Sequence, residues 1–217
     1  MSGPRIGLVH ALRDSMPPLD AALAEHWPEA VALHLFDGSL YADRNRATAT
    51  EAEIERRIAR LLRHSAEAGA AGILFSGSFF GAAVEMGREG LSVPVLTSFD
   101  GIVEAAFAAD TDFQVLSSAP DSATLLVAEL ERRAEGRAVR ARPHSVPEAI
   151  AALLAGEPER HDEAVAAAAA ALPPEGTILL AQFSMGRAKS LAEARSGRRI
   201  LAAAEAGVLH LKRLLAG

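Results

Sequence analysis

A few short stretches hold the side chains that could do chemistry, and each follows an apolar run. His10 and Ser15, with Asp14 between them, follow Ile6-Gly7-Leu8-Val9. Ser76-Gly77-Ser78 follows Ile73-Leu74-Phe75, Ser117 and Ser118 follow Phe113-Gln114-Val115-Leu116, and Gln182 and Ser184 come after Thr177-Ile178-Leu179-Leu180-Ala181. Imidazole titrates near neutrality without help, so His10 is the candidate for moving a proton. The plainer reading of His10 is a hydrogen-bonded histidine at a strand end, and the plainer reading of Asp14 is a helix cap. Hydroxyls and backbone N–H groups at Gly/Ser turns are donors suited to an anion where a helix begins, although such turns also make ordinary corners. As nucleophiles these serines lack a visible base, and no Gly-x-Ser-x-Gly elbow surrounds them, which argues against serine hydrolysis. The Gln182 amide is neither acid nor base near neutral pH.

Composition narrows the classes further. The 217 residues include no cysteine, which excludes disulfides, thiolate metal sites and thiol catalysis together. A formal net charge of −6 argues against nucleic acid and acidic membrane surfaces, both of which need a basic footprint. No apolar run approaches a membrane span, and residues 1–4 lead almost directly into a first strand, leaving no visible signal peptide. The expectation is a cytoplasmic protein. His161-Asp162-Glu163 has no second histidine at ligand spacing and reads as the acidic first turn of a helix. Glu85 and Arg198-Arg199 read as solvated, and Phe183 and Met185 as core. No cofactor or metal motif rises above background.

The elements that must position these groups alternate between strand and helix. Strands are expected at residues 5–10, 31–36, 73–75, 93–96, 113–116, 138–142, 177–181 and 199–201. The run 73–75 has no polar alternation, the mark of a strand covered on both faces. Helices are expected from near Leu19 to before Pro28, over 51–68 with Thr50 as N-cap, 82–86, 102–109, a helix through Arg133 capped by Asp121 or Ser122, 146–155, 162–172 and 203–215. Residues 41–49 read as a polar, mobile stretch long enough to cover a site. Alternation of this kind implies parallel sheets built from right-handed crossovers. The strand-then-Ser/Gly pattern near Phe75 returns near Leu180, roughly one small domain further on, which suggests two similar α/β lobes facing each other across a cleft.

Taken together, several of these residues resemble the aspartate/glutamate/hydantoin racemase superfamily. They are His10 with Asp14-Ser15, the run from Ser76-Gly77-Ser78 through Phe79-Phe80-Gly81 to Glu85, and Leu180-Ala181-Gln182-Phe183-Ser184-Met185-Gly186-Arg187. Phe36-Asp37-Gly38-Ser39-Leu40-Tyr41 and Gly156-Glu157-Pro158-Glu159-Arg160-His161-Asp162 also look like segments of that family, and the likeness runs from about residue 5 to about residue 202. It implies two flavodoxin-like lobes with parallel sheets, related by pseudo-twofold symmetry, with a small carboxylate between them. The expected division is 1–96 plus 203–217 for the first lobe and 97–202 for the second.

The resemblance also implies two facing cysteines, one removing the substrate's α-proton and the other delivering one. Those positions fall at Gly77 and at or beside Gln182, so the two-thiol mechanism is absent here. Glycine at the first position is also similar to the arylmalonate decarboxylase branch, which keeps the second cysteine. Subgroups with Ala-Gln-Phe-Ser-Met at the second position usually keep the first. Ser76, Ser78, Ser118, Ser122 and Ser184 match family positions whose hydroxyls and N–H groups bind substrate carboxylate. With Ser15, Gly77 and Gln182 they form the expected binding set. The leading expectation is a cysteine-independent isomerase, racemase or decarboxylase acting on a small carboxylate through an enediolate-like intermediate, with His10 as proton donor or base. The competing expectation is a non-catalytic carboxylate-binding or regulatory protein that retains the cleft. Self-association is compatible with either.

Overall fold

The computed structural model describes residues 3–216; residues 1–2 and 217, the outer ends of the expected first lobe, lie outside them. The first half of the chain runs β1 (Arg5–His10), α1 (Met16–His26), β2 (Val31–Phe36), α2 (Ser39–Arg46), α3 (Glu51–Glu67), β3 (Gly72–Ser76), α4 (Gly81–Gly87), β4 (Val95–Leu96) and α5 (Asp100–Ala109). The second runs β5 (Asp112–Ser117), α6 (Pro120–Arg132), β6 (Arg140–Ser145), α7 (Pro147–Leu154), α8 (Pro158–Ala171), β7 (Thr177–Leu180), α9 (Lys189–Ser196), β8 (Ile200–Ala202) and α10 (Ala203–Ala216).

Two parallel four-stranded sheets result, ordered β2-β1-β3-β4 and β6-β5-β7-β8. The strand order is the same in both, as expected of two doubly wound lobes of one kind. In each sheet the central strands are largely buried on both faces. Every residue of β3 and of β5 is buried, because helices cover both faces. The edge strand β6 carries Arg140, Arg142, Pro143 and His144 and is largely exposed. Pro143 is tolerated there because an edge needs fewer ladder donors.

Several boundaries differ from the sequence expectation, each for a local reason. The strand at 93–96 shrinks to two residues, since Pro94 keeps only its carbonyl role, accepting from the Ile73 N–H at 2.9 Å. α1 begins at Met16, earlier than Leu19, with both prolines inside its first turn, where a missing N–H is harmless. α8 starts at Pro158 rather than at 162 for the same reason. α6 is entered through Ala119 and Pro120 with no side-chain cap, so neither Asp121 nor Ser122 caps it. The stretch 41–49 is mostly helix: α2 buries Leu40 completely, and Arg57 from α3 pairs with Asp37 and Asp43 on either side of it. Thr50 does cap α3, in a capping box with Glu53.

One apolar cluster joins the two sheets. Leu8 and Leu74 from the first lie in the same core as Phe113, Val115 and Leu179 from the second, with Phe183, Val208 and Leu211. α10 returns to the first sheet, packing on α1, α5 and β3. Among the described residues no helix is long and apolar enough to cross a membrane.

Candidate functional site

The carboxyl ends of β1, β3 and β7 converge where the lobes meet, as open α/β sheets place their ligands. From the strand ends of the first sheet come Leu12 and Ser15 in the turn before α1, Tyr41 on α2, Ser76-Gly77-Ser78 after β3 and Ser98 after β4. From the second come Gln182, Phe183 and Ser184. These residues line one small cavity in which the centre of a water ranges over only ≈ 20 Å³, room for about one ordered water.

Its polar lining is neutral. The Ser76 and Ser184 hydroxyls are buried without a hydrogen-bond partner among the described residues, and Ser15 opens α1 without using its side chain as a cap. Tyr41 is the titratable group of the lining. Burial raises its phenol's pKa, more strongly than its contacts with Ser78 and the nearby Arg44 lower it. It therefore stays a neutral O–H donor. Ser98 is spent on structure: its hydroxyl accepts from the Gly77 N–H at 2.9 Å and donates to the Phe75 carbonyl at 3.1 Å. Ser78 and Ser122 join the lobes through a 2.7 Å hydroxyl–hydroxyl bond.

Gln182 has the densest set of partners. Its Oε1 lies 2.8 Å from the Ser118 N–H, 2.8 Å from the Ser118 hydroxyl, 2.9 Å from the Ser117 hydroxyl and 3.2 Å from the Ala119 N–H. The Ser117 hydroxyl also reaches the Ala119 carbonyl at 2.6 Å and has one proton to give. Two backbone N–H groups can be met only by the acceptor end of the amide, which fixes its orientation. These donors lie in the turn from β5 into α6, just before the positive end of the helix dipole.

Of the residues expected from sequence, Ser15, Ser76, Gly77, Ser78, Gln182 and Ser184 meet at the cavity, and Ser118 and Ser122 stand directly behind it. His10 is placed differently. It is fully buried, outside the cavity lining, with Nε2 3.0 Å from His34 Nδ1, and His34 Nε2 is 3.0 Å from Asp20. Burial, and then the neighbouring His34, lowers its pKa to about 4, so it is a neutral ring near pH 7. His161 is likewise buried and held by Asp162, which also accepts from Arg187 at 2.8 Å. Sequence reasoning passed over Tyr41, Ser98 and Ser117. Ser117 stands beside Ser118 at the polar end of its strand, and Tyr41 closes the family-like segment from Phe36, but nothing local gave either a place in the site.

Two parallel-sheet lobes with a donor-lined cavity between their strand ends define a class of two-lobed α/β proteins. Within it, residues 14–211 match the model of the Asp/Glu/Hydantoin racemase family, and the chain belongs to that family. Its fold is similar to aspartate racemase of Picrophilus torridus, with a TM-score of 0.75 at 12% identity, covering 99% of this chain and 95% of that one. Glutamate racemase isoform RacE1 of Bacillus anthracis gives 0.69 at 12% identity, over 100% and 83%. Unliganded arylmalonate decarboxylase gives 0.63 at 18% identity, over 99% and 94%. No curated protein matches the chain in sequence.

Proposed function

We propose that this cleft recognises a small carboxylate by hydroxyl and backbone N–H donors, without two-base proton transfer. The observation that carries the reading is the chemistry of the lining: Ser15, Ser76, Ser78, Ser184 and Tyr41 surround the cavity, and no carboxylate, amine or neutral imidazole stands among them. Such a set suits a substrate carboxylate, whose charge strengthens each bond it accepts. It offers nothing to take an α-proton, since an unassisted serine or a neutral phenol is a poor base near pH 7. Family membership supports the substrate class, because the solved relatives above are racemases and a decarboxylase.

The second reading is a cysteine-independent isomerase or decarboxylase working through an enediolate-like intermediate. It draws on the same donors, which would stabilise that intermediate as well as a bound carboxylate. It requires a proton carrier, and His10 would have to act from outside the cavity lining. One experiment separates the readings. Purified protein is titrated with D- and L-aspartate, D- and L-glutamate, maleate and a 2-arylmalonate by calorimetry, and the same mixtures are followed in D2O by NMR. Saturable binding without deuterium incorporation or carbon dioxide loss is the expected result. Exchange or decarboxylation that His10→Gln abolishes would establish the enzyme, and absence of binding by every compound would remove the carboxylate reading.

A further inference from the structure

We infer that Gln182 is a built-in occupant of an anion subsite, and that a carboxylate enters by displacing its amide oxygen from the donors of Ser117, Ser118 and Ala119. This deepens the proposed function and rests on it. The donor set is unusual for an amide. A carbonyl oxygen has two lone pairs; the Ser118 N–H and hydroxyl each lie 2.8 Å from Oε1, and the Ser117 hydroxyl and Ala119 N–H, which also bond within their own turn, lie within 3.2 Å of it. Hydroxyls and successive N–H groups in the turn from β5 into a 13-residue helix form a concavity that favours negative charge. A neutral amide uses the geometry without supplying the charge.

A second observation points to a ligand in the same place. The buried hydroxyls of Ser76 and Ser184 have no partner among the described residues, and both line the cavity that Gln182 also lines. Gln182 therefore stands between unsatisfied donors on one side and the donors of the turn between β5 and α6 on the other. Swinging its side chain away joins the two sets and enlarges a space that now holds about one water. One carboxylate oxygen would take the place of Oε1, and the other would face Ser76 and Ser184. Because the free protein holds the amide in the subsite, apparent affinity is reduced by the small fraction of molecules in which the subsite is open.

The test uses malonate as the probe, with three proteins: wild type, Gln182→Ala and Gln182→Glu. By calorimetry, Gln182→Ala should bind malonate about 10- to 100-fold more tightly than wild type, the range set by removing a competitor held by a few hydrogen bonds. Gln182→Glu needs no ligand: its tethered carboxylate should raise the melting temperature at pH 7 by about 2–4 °C. That gain should vanish on acidification, because a carboxyl group held low by donors stabilises only while ionised. If wild type binds malonate as tightly as Gln182→Ala, or more tightly, the displacement idea is overturned and the carboxylate reading stands. If Gln182→Glu melts at or below wild type at pH 7, the donors are no anion subsite. If neither wild type nor Gln182→Ala binds, the carboxylate reading falls and this inference with it.

Discussion

A Cβ added at Gly77 would lie 2.8 Å from a Phe75 ring carbon, 2.9 Å from one of Phe80 and 3.3 Å from the Ala11 methyl. All three neighbours belong to one buried cluster of the first lobe, so a side chain at this position is aimed into packed core. Restoring the thiol that the resemblance implies here is therefore more than a change of functional group. Gly77→Cys should destabilise the protein by about 1–3 kcal/mol through overpacking, measured by urea unfolding. Combining it with Phe80→Ala should give a loss smaller than the sum of the two, because the cavity left by the ring receives the new side chain. Additive losses would show that Phe80 is not what excludes it. Gln182 differs: the absence of a thiol there was legible from sequence, but its partners lie 63 to 65 residues away, and no local pattern announces a contact of that range.

At the scale of elements, β1, β2 and α1 share a chain of polar contacts that decides how His10 behaves. His34 Nε2 lies 3.0 Å from the Asp20 carboxylate on α1, and His34 Nδ1 lies 3.0 Å from His10 Nε2, a bond in which one ring donates and the other accepts. The rings stack with centroids 5.2 Å apart, and a second positive charge beside the first is unfavourable. With burial as the larger cause, the folded pKa falls to about 4, while the unfolded chain titrates near 6.5. Below about pH 6.5 the unfolded state binds a proton that the folded state refuses. Stability should therefore be full above that pH and decline towards pH 4, by about 3 kcal/mol in all. His10→Gln should flatten the dependence of unfolding free energy on pH in this window by up to ~1.4 kcal/mol per pH unit; a curve parallel to wild type would place the proton elsewhere. What sequence shows at this scale follows range. The capping box at Thr50 is local and was readable. β6 was misplaced because Arg140, Pro143 and His144 suit an edge strand by position in the sheet and not by propensity. α2 was missed because Leu40 and the Arg57 pairs that hold it are tertiary.

Over the whole molecule, the division into two lobes was visible in the repeated strand-and-serine pattern, whereas the way they are joined was not. The largest core cluster crosses both sheets, and α10 closes over the first. Its approach to α5 is close: a Cβ on Gly101 would lie 2.5 Å from the Ala206 carbonyl oxygen and 2.5 Å from Gly207 Cα. Those are backbone atoms, so no rotamer change relieves the clash and the two helices would have to part. Gly207 in turn lies under Phe183, whose ring would be 3.4 Å from a Cβ there, and Phe183 lines the cavity. A core continuous from lobe to lobe should unfold as one unit. The chain has one tryptophan, Trp27, which lies at the end of α1 and reports the first lobe, while far-UV circular dichroism reports both. Gly101→Val should lower stability by roughly 2–4 kcal/mol and shift both signals together in urea. If Trp27 fluorescence and circular dichroism separated into distinct transitions, the lobes would be independent folding units. Between the lobes, the cavity would then have to be held by contacts such as Ser78–Ser122.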